Sequence, residues 1–148
     1  NSYESALAIM PQLAGFVPML TGTGGNCGSQ SSTLVIRGLA VGEIEFRDLL
    51  KVIWKEIRIA VCISIVLAVV NGLRIMLMGQ GDALMAFTIG LTMACTVVIA
   101  KVVGCTLPLI AKRVGLDPAI MATPLISTLV DISTISVYFA IVSAVFQL

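Results

Sequence analysis

The 148-residue chain is 58% hydrophobic and only 11% charged, with a mean hydropathy of +1.07. A soluble domain carries about 25% charged residues, so this composition excludes a water-soluble globular protein and puts the chain in a bilayer. A net charge of +1 suggests no nucleic-acid partner, and the absence of histidine removes the usual general base, proton shuttle and metal ligand.

A spanning helix needs about 20 apolar residues. The first candidate runs from about Ala6 to Leu39 and is expected to break near its middle, where Gly22, Gly24, Gly25, Asn26 and Gly28 cluster downstream of Pro11 and Pro18. Val41–Arg58 follows, with Glu43, Glu45, Arg47, Asp48, Lys51, Lys55 and Glu56 interleaved with Ile44, Phe46, Leu49, Leu50, Ile53 and Trp54. This reads as an amphipathic helix at the membrane surface leading into the second span; a solvated loop is the alternative. The second span runs from about Ile57 to Met78, and Leu77 to Asp82 forms a short turn. The third runs from about Ala83 to Ala111. Lys112 to Pro118 then joins it to a fourth, from about Pro118 to Leu148, with Asp117 as cap and Pro118 as first helical residue. The expected fold is all-α: a polytopic transmembrane helix bundle of four long segments plus an interfacial amphipathic helix.

Cys27, Cys62, Cys95 and Cys105 form no CxxC pair, and three of them sit in apolar runs, so they read as free thiols. Arg37, Arg47, Lys51, Lys55, Arg58, Lys112 and Arg113 fall on one side of a four-span topology, and Arg74 on the other. Lys101 lies within the third span and is expected to snorkel toward the basic side. The positive-inside rule then puts loops 41–58 and 112–117 in the cytoplasm and both chain ends outside. With no signal peptide visible, Asn1-Ser2-Tyr3-Glu4 reads as the start of a fragment preceded by another span.

Charges at membrane depth carry the chemistry. Asp131 sits near the centre of the fourth span, where an aspartate costs about 2.5–3.5 kcal/mol to insert. Ser127, Thr128, Thr134 and Ile135 share its helix face, and Pro124 and Tyr138 extend the stripe. A hydroxyl-rich face is expected to meet water or a cavity. The alternative is a structural aspartate paired with Lys101 or a hydroxyl.

The second signal is Thr21-Gly-Thr-Gly-Gly-Asn-Cys-Gly-Ser-Gln-Ser-Ser-Thr33. Asn26 and Gln30 are one turn apart, with Thr33 a turn further on. Loosened backbone carbonyls and these side chains offer oxygen to a hard cation or to its water shell. Close helix packing through small residues is the alternative; it accounts for the glycines better than for Asn26 and Gln30. One carboxylate and many neutral oxygens suit Mg²⁺, Ca²⁺ or Mn²⁺ over Zn²⁺ or Cu⁺. A single carboxylate per chain is too little to strip the shell of Mg²⁺, so a hydrated ion held between two chains fits better.

Pro18-Met-Leu-Thr-Gly-Thr-Gly-Gly-Asn-Cys-Gly-Ser-Gln30, then Arg37-Gly-Leu-Ala-Val-Gly-Glu43, resembles the MgtE family of magnesium channels and transporters. So does Leu116-Asp-Pro-Ala-Ile-Met-Ala-Thr-Pro-Leu-Ile-Ser-Thr-Leu-Val-Asp131, and the likeness covers nearly the whole chain. It implies that residues 1–148 are the ion-conducting part of a larger protein of the inner (plasma) membrane. They look like the second to fifth of the family's five membrane helices, without its first helix and cytoplasmic regulatory domains. It further implies a homodimer in lipid, with a pore on its dyad lined by the first and fourth spans. The family's pore aspartate falls on Asp131 and its glycine–asparagine segment on Gly25 and Asn26. A backbone carbonyl one turn before the aspartate, at Ser127, would assist in holding hydrated Mg²⁺. Gln30, Thr33, Thr128 and Thr134 are the remaining pore-lining candidates. Cys27 stands at a position that need not be strict in the family.

Three other classes compete with a divalent-cation channel. In a proton- or sodium-coupled secondary transporter, Asp131 would be the coupling-ion site. An intramembrane enzyme lacks both a Ser–His pair and an aspartyl pair within one chain. A purely structural subunit leaves the cost of Asp131 without a return.

Overall fold

A computed structural model describes residues 2–121 and 123–146. Within them lie four α-helices: α1 (Ser2–Ala40), α2 (Leu49–Leu77), α3 (Ala83–Arg113) and α4 (Thr123–Phe146), with short 3-10 turns at Phe46–Asp48 and Pro118–Met121. Leu148, the expected end of the fourth span, and Asn1 lie outside the described residues, so the placement of the two chain ends does too. Phe46–Leu77, Ala83–Arg113 and Pro124–Phe146 are each long and apolar enough to cross a membrane. The chain is an all-helical, multi-pass membrane protein. At 39 residues α1 is the longest helix, about 58 Å at 1.5 Å per residue, but its centre is glycine, serine, threonine, asparagine and glutamine.

The expected break in α1 does not occur. The helix runs unbroken through Pro11 and Pro18 and through the glycine cluster to Ala40. In hydrocarbon an unpaired carbonyl costs several kcal/mol, so the backbone keeps its own bonds even where propensity is poor. Loosened α1 carbonyls are therefore not available as cation ligands.

The amphipathic segment also differs from expectation. No separate surface helix forms over 41–58: residues 41–45 are non-helical, a single 3-10 turn follows, and α2 then runs straight into the span. Asp48 and Glu45 cap that turn reciprocally, and Trp54 stays exposed. The fourth span likewise starts after a 3-10 turn, not at Pro118; the Asp117 carboxylate accepts from the Ala119 N–H at 2.9 Å.

Three helices stop in the same way. Gly42, Gly79 and Gly115 take positive φ, and the next N–H bonds back five residues: Glu43 to Gly38, Gln80 to Ile75 and Leu116 to Ala111. This closure satisfies carbonyls that the helix end would otherwise orphan. The Asp82 carboxylate caps α3 by accepting from the Met85 N–H at 2.9 Å.

α3 is the hub, packing against α1, α2 and α4, while α1 also packs along α4. Its buried face carries Met85, Ile89, Met93, Val97, Ala100 and Leu109, together with Thr88, Thr92 and Thr96. The Thr88 and Thr92 hydroxyls donate to the carbonyls one turn back, which lets them sit in an apolar core. Glycine sets the spacing of α1. A Cβ on Gly104 would collide with the Gly28 carbonyl oxygen. One on Gly28 would lie 2.9 Å from Ile126 Cγ2 and 3.2 Å from the Ala100 carbonyl oxygen, and one on Gly24 2.7 Å from Thr96 Cγ2. Gly24 and Gly28 thus serve close helix packing, the use that membrane bundles make of small residues.

Candidate functional site

Two of the sequence-predicted residues meet through a third. Gly25, on α1, faces Ser127 and Asp131, which are one turn apart on α4. A Cβ on Gly25 would lie 3.5 Å from the Ser127 hydroxyl oxygen and 3.9 Å from Asp131 Oδ1. The missing side chain lets the two helices approach at the carboxylate. Ser29, one turn after Gly25, was not singled out from the sequence; its hydroxyl lies 3.5 Å from that of Ser127. The signal for it was available, since Gly25 and Ser29 share a helix face.

Asp131 is half-buried and, among the described residues, has no ion pair and no hydrogen bond. No three His, Cys, Asp or Glu side chains of the described residues gather into a cluster that could hold a metal. One chain therefore offers a cation a single carboxylate, with the Ser127 and Ser29 hydroxyls beside it. That set suits a hydrated hard ion and not a dehydrated one.

Asn26 is exposed on the outer face of α1. Gly22, one turn earlier, has open space beside it, and Gly15 does as well. Thr33 is exposed on the same side, with its hydroxyl donating to the Ser29 carbonyl at 2.9 Å. Together they leave a polar, small-residue stripe on α1 that no other part of the described chain covers.

Packing moves Thr134 and Tyr138 off the Asp131 face. Thr134 does not join the Asp131 face: it is buried in the bundle interior, its hydroxyl oxygen 3.2 Å from where a Gly24 Cβ would be. Tyr138 is likewise interior, donating its hydroxyl to the Leu13 carbonyl at 2.8 Å. Thr128 is exposed, but its hydroxyl is turned back to the Pro124 carbonyl, and its stripe continues through the exposed Ile132, Ile135 and Phe139. The hydroxyl-rich face read from spacing is therefore split among three surroundings, because residues at i+3 and i−3 lie on opposite flanks of the contact with α1.

Lys101 does not snorkel. Its side chain is 2% exposed and its ammonium lies 3.3 Å from Glu56 Oε2, on a side chain 5% exposed. The partner proposed for Asp131 is thereby taken. Lys101 also donates to Gln30 Oε1 at 3.1 Å, and the Ser31 hydroxyl donates to Glu56 Oε2. Gln30 thus lies at the exposed face of α1 with its amide oxygen turned inward. The sequence held no signal for this network, whose members come from three helices. The four cysteines are free, as expected.

Comparison with known proteins agrees with this architecture. The family model described as MgtE, divalent cation transporter, matches residues 17–141. The magnesium transporter MgtE of Thermus thermophilus is 34% identical over 145 residues, covering 95% of this chain and 31% of that protein. The magnesium transporter MgtE of Bacillus subtilis is 36% identical over 142 residues, 96% of this chain and 31% of that protein. That of Enterococcus faecalis is 33% identical over 146 residues, with 97% and 31% covered. The chain spans about a third of the length of these relatives. With this match across nearly all of its length, and with helices suited to a bilayer, the chain belongs to the MgtE family of divalent cation transporters.

Proposed function

We propose that this chain forms the ion-conducting unit of a magnesium channel or facilitative transporter, acting as a homodimer. The path runs along the dyad, lined by α1 and α4, and hydrated Mg²⁺ is held between two Asp131 carboxylates, one from each subunit. The Ser127 carbonyl and Asn26 complete the site, and Gly25, without a side chain, leaves room at the carboxylate. Mn²⁺ or Ca²⁺ could occupy it by the same oxygen chemistry. The protein sits in the inner (plasma) membrane with loops 41–58 and 112–117 in the cytoplasm.

The observation that carries this reading is a carboxylate in a spanning helix, unpaired within the described chain and facing Gly25, the neighbour in sequence of the exposed Asn26. An unpaired central carboxylate is costly in a bilayer and marks an ion path by default. Two such carboxylates brought together repel, and a divalent cation between them removes the repulsion. The names of the three relatives and the description of the family support Mg²⁺ as cargo.

The test is Mg²⁺ flux into liposomes carrying the purified protein and its Asp131→Asn variant. The amide keeps the shape and removes the charge. Flux should fall by about tenfold or more, the change expected when one charge-assisted contact to the ion is lost, while the variant remains a folded dimer. Full flux with unchanged selectivity for divalent ions would overturn the proposal.

A further inference from the structure

We infer that Glu56 acts on the ion path through Lys101: it cancels the positive charge that Lys101, held against the Gln30 amide oxygen, would otherwise place beside a passing cation. This rests on the reading that α1 lines the path.

The geometry is specific. Lys101 of α3 bridges to Glu56 of α2 at 3.3 Å and to Gln30 of α1 at 3.1 Å, and Ser31 of α1 donates to the same Glu56 oxygen. One ion pair therefore ties three helices together at one level of the bundle. An ammonium has three donors and no acceptor, so the Gln30 atom facing it must be the carbonyl oxygen. That oxygen is the only atom of the Gln30 side chain that could bind a cation, and Lys101 holds it inward. What Gln30 leaves for the outer face of α1, beside Asn26 and Thr33, is an NH₂ group that repels cations weakly and donates to water.

Stability does not explain the pair. A buried ion pair is often no more stabilising than apolar residues of the same volume, because desolvating two charges offsets their attraction. Lys101 is also the only basic residue among the buried polar and charged residues described. In a cation-conducting protein such a charge opposes the cargo, and Glu56 is the group that neutralises it. Asp131 does not contact it.

The test uses Glu56→Gln, Lys101→Met and the double variant, each reconstituted in liposomes, with Mg²⁺ flux scaled to folded dimer. Glu56→Gln keeps an oxygen acceptor for Lys101 and Ser31 but leaves the ammonium uncompensated, and flux should fall about tenfold or more. Lys101→Met removes the opposing charge and frees the Gln30 oxygen. Flux should stay within about threefold of the unmodified protein, and half-maximal flux should need less Mg²⁺. The double variant should regain the flux that Glu56→Gln loses. A merely structural pair would make both single variants suffer alike. Unchanged flux in Glu56→Gln, or a fall in Lys101→Met as deep as in Glu56→Gln, overturns the inference. Should Glu56→Gln not fold, the double variant decides, and a folded double variant without flux is equally fatal. Asp131→Asn run in parallel separates the two readings. If it conducts normally, the pore proposal fails; if it is silent while Glu56→Gln conducts fully, only this inference fails.

Discussion

Two helix carboxylates of this bundle, Glu56 of α2 and Asp131 of α4, are treated in opposite ways. Glu56 is 5% exposed, bonded to Ser31 and paired with Lys101, which itself reaches Gln30. Asp131 is half-buried and faces Gly25 across the α1–α4 contact, with Ser127 one turn before it on its own helix and no partner of opposite charge among the described residues. Loss of water penalises both, and a protein that merely tolerated buried charge would have supplied both with partners. The difference teaches that one charge is closed within the chain, while the other, on the function proposed above, is left for a cation.

The same substitution at the two positions should move stability in opposite directions. Glu56→Leu strands the Lys101 ammonium in an apolar interior and should cost about 3–5 kcal/mol. Steric trapping or denaturant titration in detergent measures this, and a cost below about 1 kcal/mol would mean that the pair is wet and loosely held. Gly104→Ala should cost about 1–3 kcal/mol, since its Cβ meets the Gly28 backbone and not a side chain that can move. It would separate α1 from α3 and so disturb the Gln30–Lys101 contact as well. Asp131→Leu should stabilise the metal-free protein by about 1–2 kcal/mol, as the insertion cost of an unpaired carboxylate disappears. Destabilisation instead would show that Asp131 has a structural partner. Smallest of all, Gly22→Ala should change stability by less than about 1 kcal/mol in the favourable direction, because α1 is helical there and the space beside Gly22 is open. A larger loss, read in the dimer, would place a second copy of the chain against that face.

Gly24 and Gly25 are neighbours in sequence with different tasks. Gly24 packs against Thr96 and Val130 in the core, and Gly25 opens onto Ser127 and Asp131. The helix-packing reading of the glycine block therefore holds for Gly24 and Gly28, while Gly25 lies at the carboxylate of the proposed site, and a step of one residue around the helix separates the two.

Hydrophobic length and composition alone determined that the chain is helical, that it spans a bilayer several times, and that Asp131 is the charge to explain. These follow from local quantities: how many apolar residues run together, and which ionisable side chain interrupts them. Tertiary structure decided which faces meet. In a soluble helix the buried face is marked by its apolar stripe, but here exposed Val66, Val69 and Val70 are as apolar as core Met93 and Val97, so periodicity cannot rank the faces. That is why Thr134 and Tyr138 were read onto the Asp131 face and proved interior. It is also why Lys101 was assigned to the membrane surface: its partners Gln30 and Glu56 lie 71 and 45 residues away on other helices, and only the packing of α1, α2 and α3 around one another brings a carboxylate close enough to keep that ammonium out of water.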